Sequence, residues 1–310
     1  MSVITPKNKL SQKEYYASHS LKELAKNSLY ISLMFGQVLW PMNSAMAAPV
    51  FEPGEPGDGV EQTGSNEYTV TANRAIARWQ SFVLGETEKI EFLNNSDQGK
   101  ILLNLVEPGA ISQISGELNA NNIQFILVGP SGISIADSAK IDVSGLVLST
   151  IDVTGKAQKD FKETGNLFFD SSSNGKIIID SDATLVPSNL ENVVLIGKDI
   201  QNNANIEASG LVAMLATDNA TLTLEGSNIL GVSFNAASLV DASLVNNGAI
   251  VADKAFLANQ ATNGAIKIDQ SITANKIVIS GDKIELSAGL SSNGSGSSLK
   301  IGKGDRKSVV

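Results

Sequence analysis

The chain has 310 residues, 42% of them hydrophobic and 18% charged, with a formal net charge of −9 and 5% aromatic side chains. It is too apolar for a disordered chain and too poor in rings to suggest a bulky aromatic core. There is no cysteine and one histidine, His19, which excludes a disulfide scaffold, thiolate metal sites and a Cys nucleophile.

Residues 1–27 are polar and basic, with Lys7, Lys9, Lys13, Lys22 and Lys26 against Glu14 and Glu23. The apolar stretch 29–40 is too short, and too interrupted by Ser32, Gly36 and Gln37, to span a bilayer. Pro41 ends it, and Ala45-Met46-Ala47 supplies the small side chains that a signal peptidase pocket requires. The reading is an extended signal peptide over 1–47, cut between Ala47 and Ala48; a membrane anchor or amphipathic helix is the alternative. Its removal takes away His19, five basic and two acidic residues, leaving 18 basic and 30 acidic, net −12. So acidic a chain has no electrostatic footprint for nucleic acid or anionic lipid. Lack of cysteine suits passage through an oxidising periplasm.

Residues 48–66 carry Pro49, Pro53-Gly54, Pro56-Gly57 and Asp58-Gly59 without periodicity, and read as a flexible arm. From Tyr68 onward short strands alternate one aliphatic with one polar residue. Examples are Lys89-Ile90-Glu91-Phe92, Lys140-Ile141-Asp142-Val143, Lys176-Ile177-Ile178-Ile179, Thr221-Leu222-Thr223-Leu224, Ala265-Ile266-Lys267-Ile268 and Lys276-Ile277-Val278-Ile279. Asn174-Gly175, Asn247-Gly248 and Asn263-Gly264, with the related run 202–206, punctuate them as tight turns. Stretches 157–163 and 253–259 favour helix, the first as a loop or short excursion. A Gly/Ser tract over 291–298 opens a basic tail, 291–310, and reads as a linker or frayed end.

Loose self-similarity at about 15–30 residues indicates a solenoid. The expected fold is all-β, a right-handed parallel β-helix over 67–290 with an N-terminal cap. About ten to twelve coils are expected, about 4.8 Å apart. Its narrow interior favours Ile, Val, Leu and Ala, with Asn or Ser laddered at the corners. A sandwich or jelly roll is the alternative. The arm and the strands from Tyr68 to Phe92 are candidates for the cap.

Residues 101–153 resemble the haemagglutination-activity domain of filamentous haemagglutinin-type exoproteins, the N-terminal domain of two-partner secretion substrates. Leu103-Asn104 precede Ser112-Gln113-Ile114-Ser115-Gly116-Glu117-Leu118-Asn119-Ala120-Asn121, as in that family. A Gln-led strand then runs from Gln124 into the turn Gly129-Pro130-Ser131-Gly132, followed by Gly145-Leu146-Val147-Leu148-Ser149-Thr150-Ile151-Asp152. Upstream, Ile76, Trp79, Ser81-Phe82 and Phe92 resemble the family's opening strand. Downstream, Val193-Val194-Leu195-Ile196-Gly197 with Asn203, Ile206 and Ala208 resembles a later coil. The family's turn is Asn-Pro-Asn-Gly; Gly129 and Ser131 replace both asparagines, while Pro130 and Gly132 keep the backbone demand. Leu105 stands where arginine is common. Family members usually run much longer, so a truncated gene or a minimal member is expected.

The resemblance implies a secretion domain of an adhesin-like exoprotein, delivered through the periplasm of a Gram-negative bacterium to the cell surface or medium. Its implied partner is an outer-membrane transporter whose periplasmic domains read the unfolded chain by strand addition, at the 129–132 turn among other places. Coils folding outside then bias movement outward. Host or neighbouring cell surfaces are further implied partners; no cofactor, metal or catalysis is expected. The alternatives are a fragment of a contact-dependent inhibition toxin-delivery protein, or a β-helical polysaccharide-acting enzyme. For the enzyme the candidate acids Asp142, Asp152, Asp180, Asp182, Asp199, Asp218, Asp269 and Asp282 are single and lie next to turns, while Arg74 and Arg78 are read as preceding the stack. A single-chain autotransporter needs a C-terminal barrel of alternating strands, and nothing after Leu286 offers one.

Overall fold

The period-two pattern that begins at Tyr68 folds into three parallel ladders, one per face of a β-helix. The computed structural model describes residues 49–51, 57–171, 173–226, 228–234, 239–292, 297–302 and 308–309. The stretch 1–47 expected to be a signal segment, and the expected cleavage residues Ala45, Ala47 and Ala48, lie outside the described residues.

The first ladder starts with Glu67–Val70 and Lys89–Asn94, the second with Arg74–Ser81 and Lys100–Val106. Strands Glu117–Val128, Lys140–Ser149, Ile250–Asn259 and Ile272–Ser280 pass through a corner and supply rungs to both. The third ladder runs Val83–Leu84, Ser112–Ile114, Ile133–Ile135, Lys176–Ile179, Asp199–Asn202, Ser243–Asn246, Ala265–Ile268 and Lys283–Leu286, all parallel.

Alternation decides which side chains enter the core. Ile133 and Ile135 sit over Ile177 and Ile179, then Ile200 and Asn202, then Leu244 and Asn246, then Ile266 and Ile268; all of these are buried. Each inward aliphatic contributes about 1.5–3 kcal/mol, so the core grows rung by rung. The asparagines form the expected corner ladder: Asn202 Nδ2 donates to Asn246 Oδ1 at 2.8 Å and to Ala204 O at 2.8 Å, and Asn246 Nδ2 donates to Gly248 O at 2.7 Å. Buried Lys100 donates to Val70 O and Asn95 Oδ1, and burial pushes its ammonium below the usual lysine range.

The third ladder holds eight strands, fewer than the ten to twelve coils expected. Part of the difference is chain spent outside the stack, in excursions whose described residues include 152–171, 218–226 and 228–234. The first holds helix α1 (Gly155–Thr164), which the sequence anticipates at 157–163; Thr154 caps its start and left-handed Gly165 its end. The helix expectation at 253–259 is overturned, because that segment belongs to strand Ile250–Asn259. There Ala255 and Leu257 face the interior while Phe256 and Ala258 face outward, and this two-sided burial overrides helix propensity.

Outside the second ladder, Asn166–Phe169, Ala220–Glu225, Asn228–Phe234 and Ser308–Val309 form an antiparallel sheet. With α1 it covers that face and makes a second core. Leu103, Ile126, Val147, Ile196 and Phe256 of the stack meet Phe161, Leu167, Phe169, Leu222 and Phe234 of the cover. This is why Lys100–Val106, Asn192–Gly197 and Leu211–Ala216 are buried throughout, like strands covered on both faces. Of the pair at 168–169, Phe169 is buried and Phe168 remains 37% exposed.

Two further expectations are corrected at the ends. The described parts of the segment read as a flexible arm are folded onto the first coil: Val50–Phe51 pairs antiparallel with Arg74–Ser81, and Val60–Gly64 with Glu67–Val70. Phe51 stacks on Trp79 with ring centroids 3.9 Å apart, and Tyr68 meets both edge-on at 5.0 and 5.5 Å. Phe82, Phe92 and Phe125 continue the group. Six aromatics thus gather at this end and form a core that the average composition hides, while Phe161, Phe169, Phe234 and Phe256 serve the second core. At the other end, Ser298–Gly302 still pairs with Ile272–Ser280, inside the predicted tail.

Candidate functional site

The second-ladder strand ends at Val128, and Gly129-Pro130-Ser131-Gly132 turn the chain into Ile133–Ile135. Gly132 N donates to Gly129 O at 3.0 Å, closing a β-turn with Pro130 presetting its first dihedral. Gly132 has φ +134°, a backbone conformation that L side chains rarely adopt. The turn is held from both neighbours. Ser112 N donates to Gly132 O at 3.0 Å, Gly109 N donates to Ser131 Oγ at 2.7 Å, and Gly129 N donates to Ser149 O at 2.9 Å. Gly129, Pro130 and Gly132 are buried and Ser131 is half-buried. Gly132→Val should therefore cost about 1–3 kcal/mol in denaturant unfolding and reduce export, while Ser131→Asn should change neither. Equal behaviour of the two variants contradicts the turn assignment.

The other family-like positions also act as parts of the coil. Trp79 Nε1 donates to Asn104 Oδ1 at 3.0 Å, and Asn104 Nδ2 donates to Ile126 O at 3.1 Å, so this buried asparagine links the first three coils. Leu103 points the opposite way, into the core under the cover. Ser112 is buried, and Gln113 Nε2 donates to Ser115 Oγ at 3.2 Å. At Gly116 a Cβ would come within 2.2 Å of Glu88 O and 2.3 Å of Gly85 O, so the coils approach there too closely for any side chain. Gly145 lies in register with Gln124, whose side-chain amide fills the space above it. Ser149 Oγ donates to Ile151 O at 2.9 Å. Asp152 forms the neck of the first excursion: its N–H donates to Ser171 O at 2.9 Å and its Oδ1 accepts from Val153 N at 2.8 Å.

Arg74 and Arg78 belong to the first coil instead of preceding it. They clasp α1, Arg74 Nη1 donating to Lys162 O at 3.0 Å and Arg78 Nη2 to Gln158 Oε1 at 2.6 Å. The parity of Arg74, Ile76 and Arg78 against Ala75, Ala77 and Trp79 carries that outward placement. The candidate acids stay apart. Asp142 accepts from Asn189 at 3.0 Å. Asp269 pairs with exposed Lys267 at 2.6 Å, and hydrogen bonds from Lys267 and Ser287 hold its carboxyl below the usual range. Among the described residues no group of three or more His, Asp or Glu is placed to hold a metal ion, and no helix is long and apolar enough to cross a membrane.

A three-sided parallel stack, an aromatic N-terminal cap and an antiparallel cover on one face make up the geometry to be compared with known proteins. The family profile for the TPS secretion domain, the domain of two-partner secretion, matches residues 56–301. The chain belongs to the TPS secretion domain family. A TPS secretion domain implies a separate outer-membrane transporter and an exoprotein secreted by a Gram-negative bacterium. Such domains are not known enzymes.

A "Heme/hemopexin-binding protein" of Haemophilus influenzae is 32% identical over 96 residues, 30% of this chain. The chain spans 10% of that relative's length. The HMW1 secretion domain of Haemophilus influenzae shares the fold, with TM-score 0.51 and 21% identity over 76% of this chain and 73% of that one. The filamentous hemagglutinin secretion domain superposes with TM-score 0.47 and 14% identity over 83% of this chain and 100% of that one.

Proposed function

We propose that this TPS secretion domain serves an adhesin-like exoprotein whose transporter reads it before it folds. In this reading the signal segment 1–47 is removed after Ala47, and the chain crosses the periplasm extended. Periplasmic domains of the transporter then pair with its strands. Folding starts at the aromatic cap and proceeds coil by coil at the surface, with a host or neighbouring cell as the eventual target. One observation carries the reading: Gly129, Pro130 and Gly132 of the 129–132 turn are buried between neighbouring coils in the finished stack, with Ser131 half-buried. Contact between that turn and a transporter therefore belongs to the unstacked chain.

The test is expression of the full chain in a Gram-negative host with and without its transporter. Protein in the medium or exposed to external protease only when the transporter is present supports the reading. Export without a transporter overturns it, as does binding of the transporter's isolated periplasmic domains to the folded domain as tightly as to the unfolded chain.

A further inference from the structure

The first ladder has one missing rung. Thr184–Leu185 pairs with Lys140–Ile141 on the N-terminal side, and Ile206–Glu207 pairs with Ile250–Val251 on the C-terminal side, but no pairing joins 184–185 to 206–207. The same two coils are direct neighbours in the second ladder, through Asn192–Gly197 and Leu211–Ala216.

The hydrogen bonds show which way each strand faces. Thr184 N and Val186 N donate to Ala139 O and Ile141 O, both at 2.9 Å. Ile206 N and Ala208 N donate the other way, to Ala249 O at 2.8 Å and Val251 O at 2.9 Å. Alternate residues of a strand address opposite neighbours, so the N–H and C=O of Leu185 and of Glu207 face each other across the gap. The cause is local. Pro187 has no N–H to give. Asn189 Nδ2 donates to Asn121 Oδ1 at 3.1 Å and Asp142 Oδ1 at 3.0 Å, drawing the 186–189 turn toward the preceding coils. Pairing resumes only at Ser209 N to Leu190 O, 3.1 Å.

A cleft of about 430 Å³ opens here, lined by Leu185, Pro187, Asn205, Glu207 and Val251 among others, and a second, of about 390 Å³, adjoins it at Asp253. Val251 is 47% exposed. The charged side chains lining the two clefts, Glu207 and Asp253, are both acidic. We propose that this gap is a strand-addition site for an extended cationic peptide from a partner, whose backbone completes the rung. Its aliphatic side chains would cover Val251 while lysine or arginine meets Glu207 and Asp253. A second copy of the chain, with net charge −12 over 48–310, is repelled from such a slot.

The probe is a short fluorescein-labelled peptide of alternating lysine and valine, titrated against the folded chain by anisotropy. Saturable binding is expected, weakened about tenfold or more by Glu207→Lys and by methylation of alternate backbone nitrogens of the peptide. Hydrogen exchange on the unaltered protein adds a second readout: the amides of Leu185 and Glu207 should exchange fast when free and become protected with peptide bound. The proposal is overturned by absence of binding, by binding indifferent to backbone methylation, or by protection elsewhere. None of these outcomes bears on export.

Discussion

Replacing Trp79 with alanine should lower the unfolding free energy by about 3–5 kcal/mol, the range for emptying a buried aromatic site. Trp79 is fully buried, stacks on Phe51 at 3.9 Å and meets Phe82 edge-on at 5.2 Å. Its indole N–H also satisfies Asn104, so the variant leaves a cavity at the end of the rod together with an unpaired buried carbonyl. Trp79→Phe separates the two effects: most packing stays, the hydrogen bond goes, and about 1–3 kcal/mol should be lost. Denaturant unfolding at unchanged slope checks both variants. In a nearest-neighbour stack the cap sets the boundary for the coils after it, so export should fall with stability. A loss under about 1 kcal/mol for the alanine variant contradicts the cap's role.

Phe161→Ala should cost nearly as much, about 3–5 kcal/mol, although the residue lies outside the β-helix. Phe161 is fully buried on α1 and belongs to the core that seals the outer side of the second ladder. Ile178→Ala on the third ladder is the contrast. Ile178 points outward and is half-buried, with no cover over it among the described residues, so its loss should stay within about 1 kcal/mol. Thermal unfolding of both variants distinguishes a working cover from an ornamental one: similar small losses contradict the second core.

The parallel stack was legible because Ile141, Ile177, Ile266 and Ile277 occur with alternating neighbours and nearby Asn-Gly punctuation, although Thr221-Leu222-Thr223-Leu224, with the same alternation, belongs to the antiparallel cover. Family position could also be read, from Leu103-Asn104 to Asp152, since those residues answer local demands such as the close approach at Gly116. The cover was not legible. Val193-Val194-Leu195-Ile196 reads equally well as a strand buried by any neighbour, and nothing local says that Phe161, Phe169 and Phe234 supply that neighbour across such long separations. The docking of Phe51 on Trp79 was hidden for the same reason, behind a Pro/Gly-rich segment. The missing rung was invisible too, because Pro187 marks a turn whether or not the next coil pairs.

The absence of cysteine permits a direct test of the stack. Ser134 and Ile178 are register partners on adjacent third-ladder strands, and Gln201 lies one strand further on. Neighbouring rungs are about 4.8 Å apart, within disulfide reach, and rungs two apart are about 9.6 Å, beyond it. Mild oxidation of the folded double variants is the measurement: Ser134→Cys with Ile178→Cys should cross-link within the chain, and Ser134→Cys with Gln201→Cys should not. Cross-linking of the second pair in preference to the first contradicts the parallel coil.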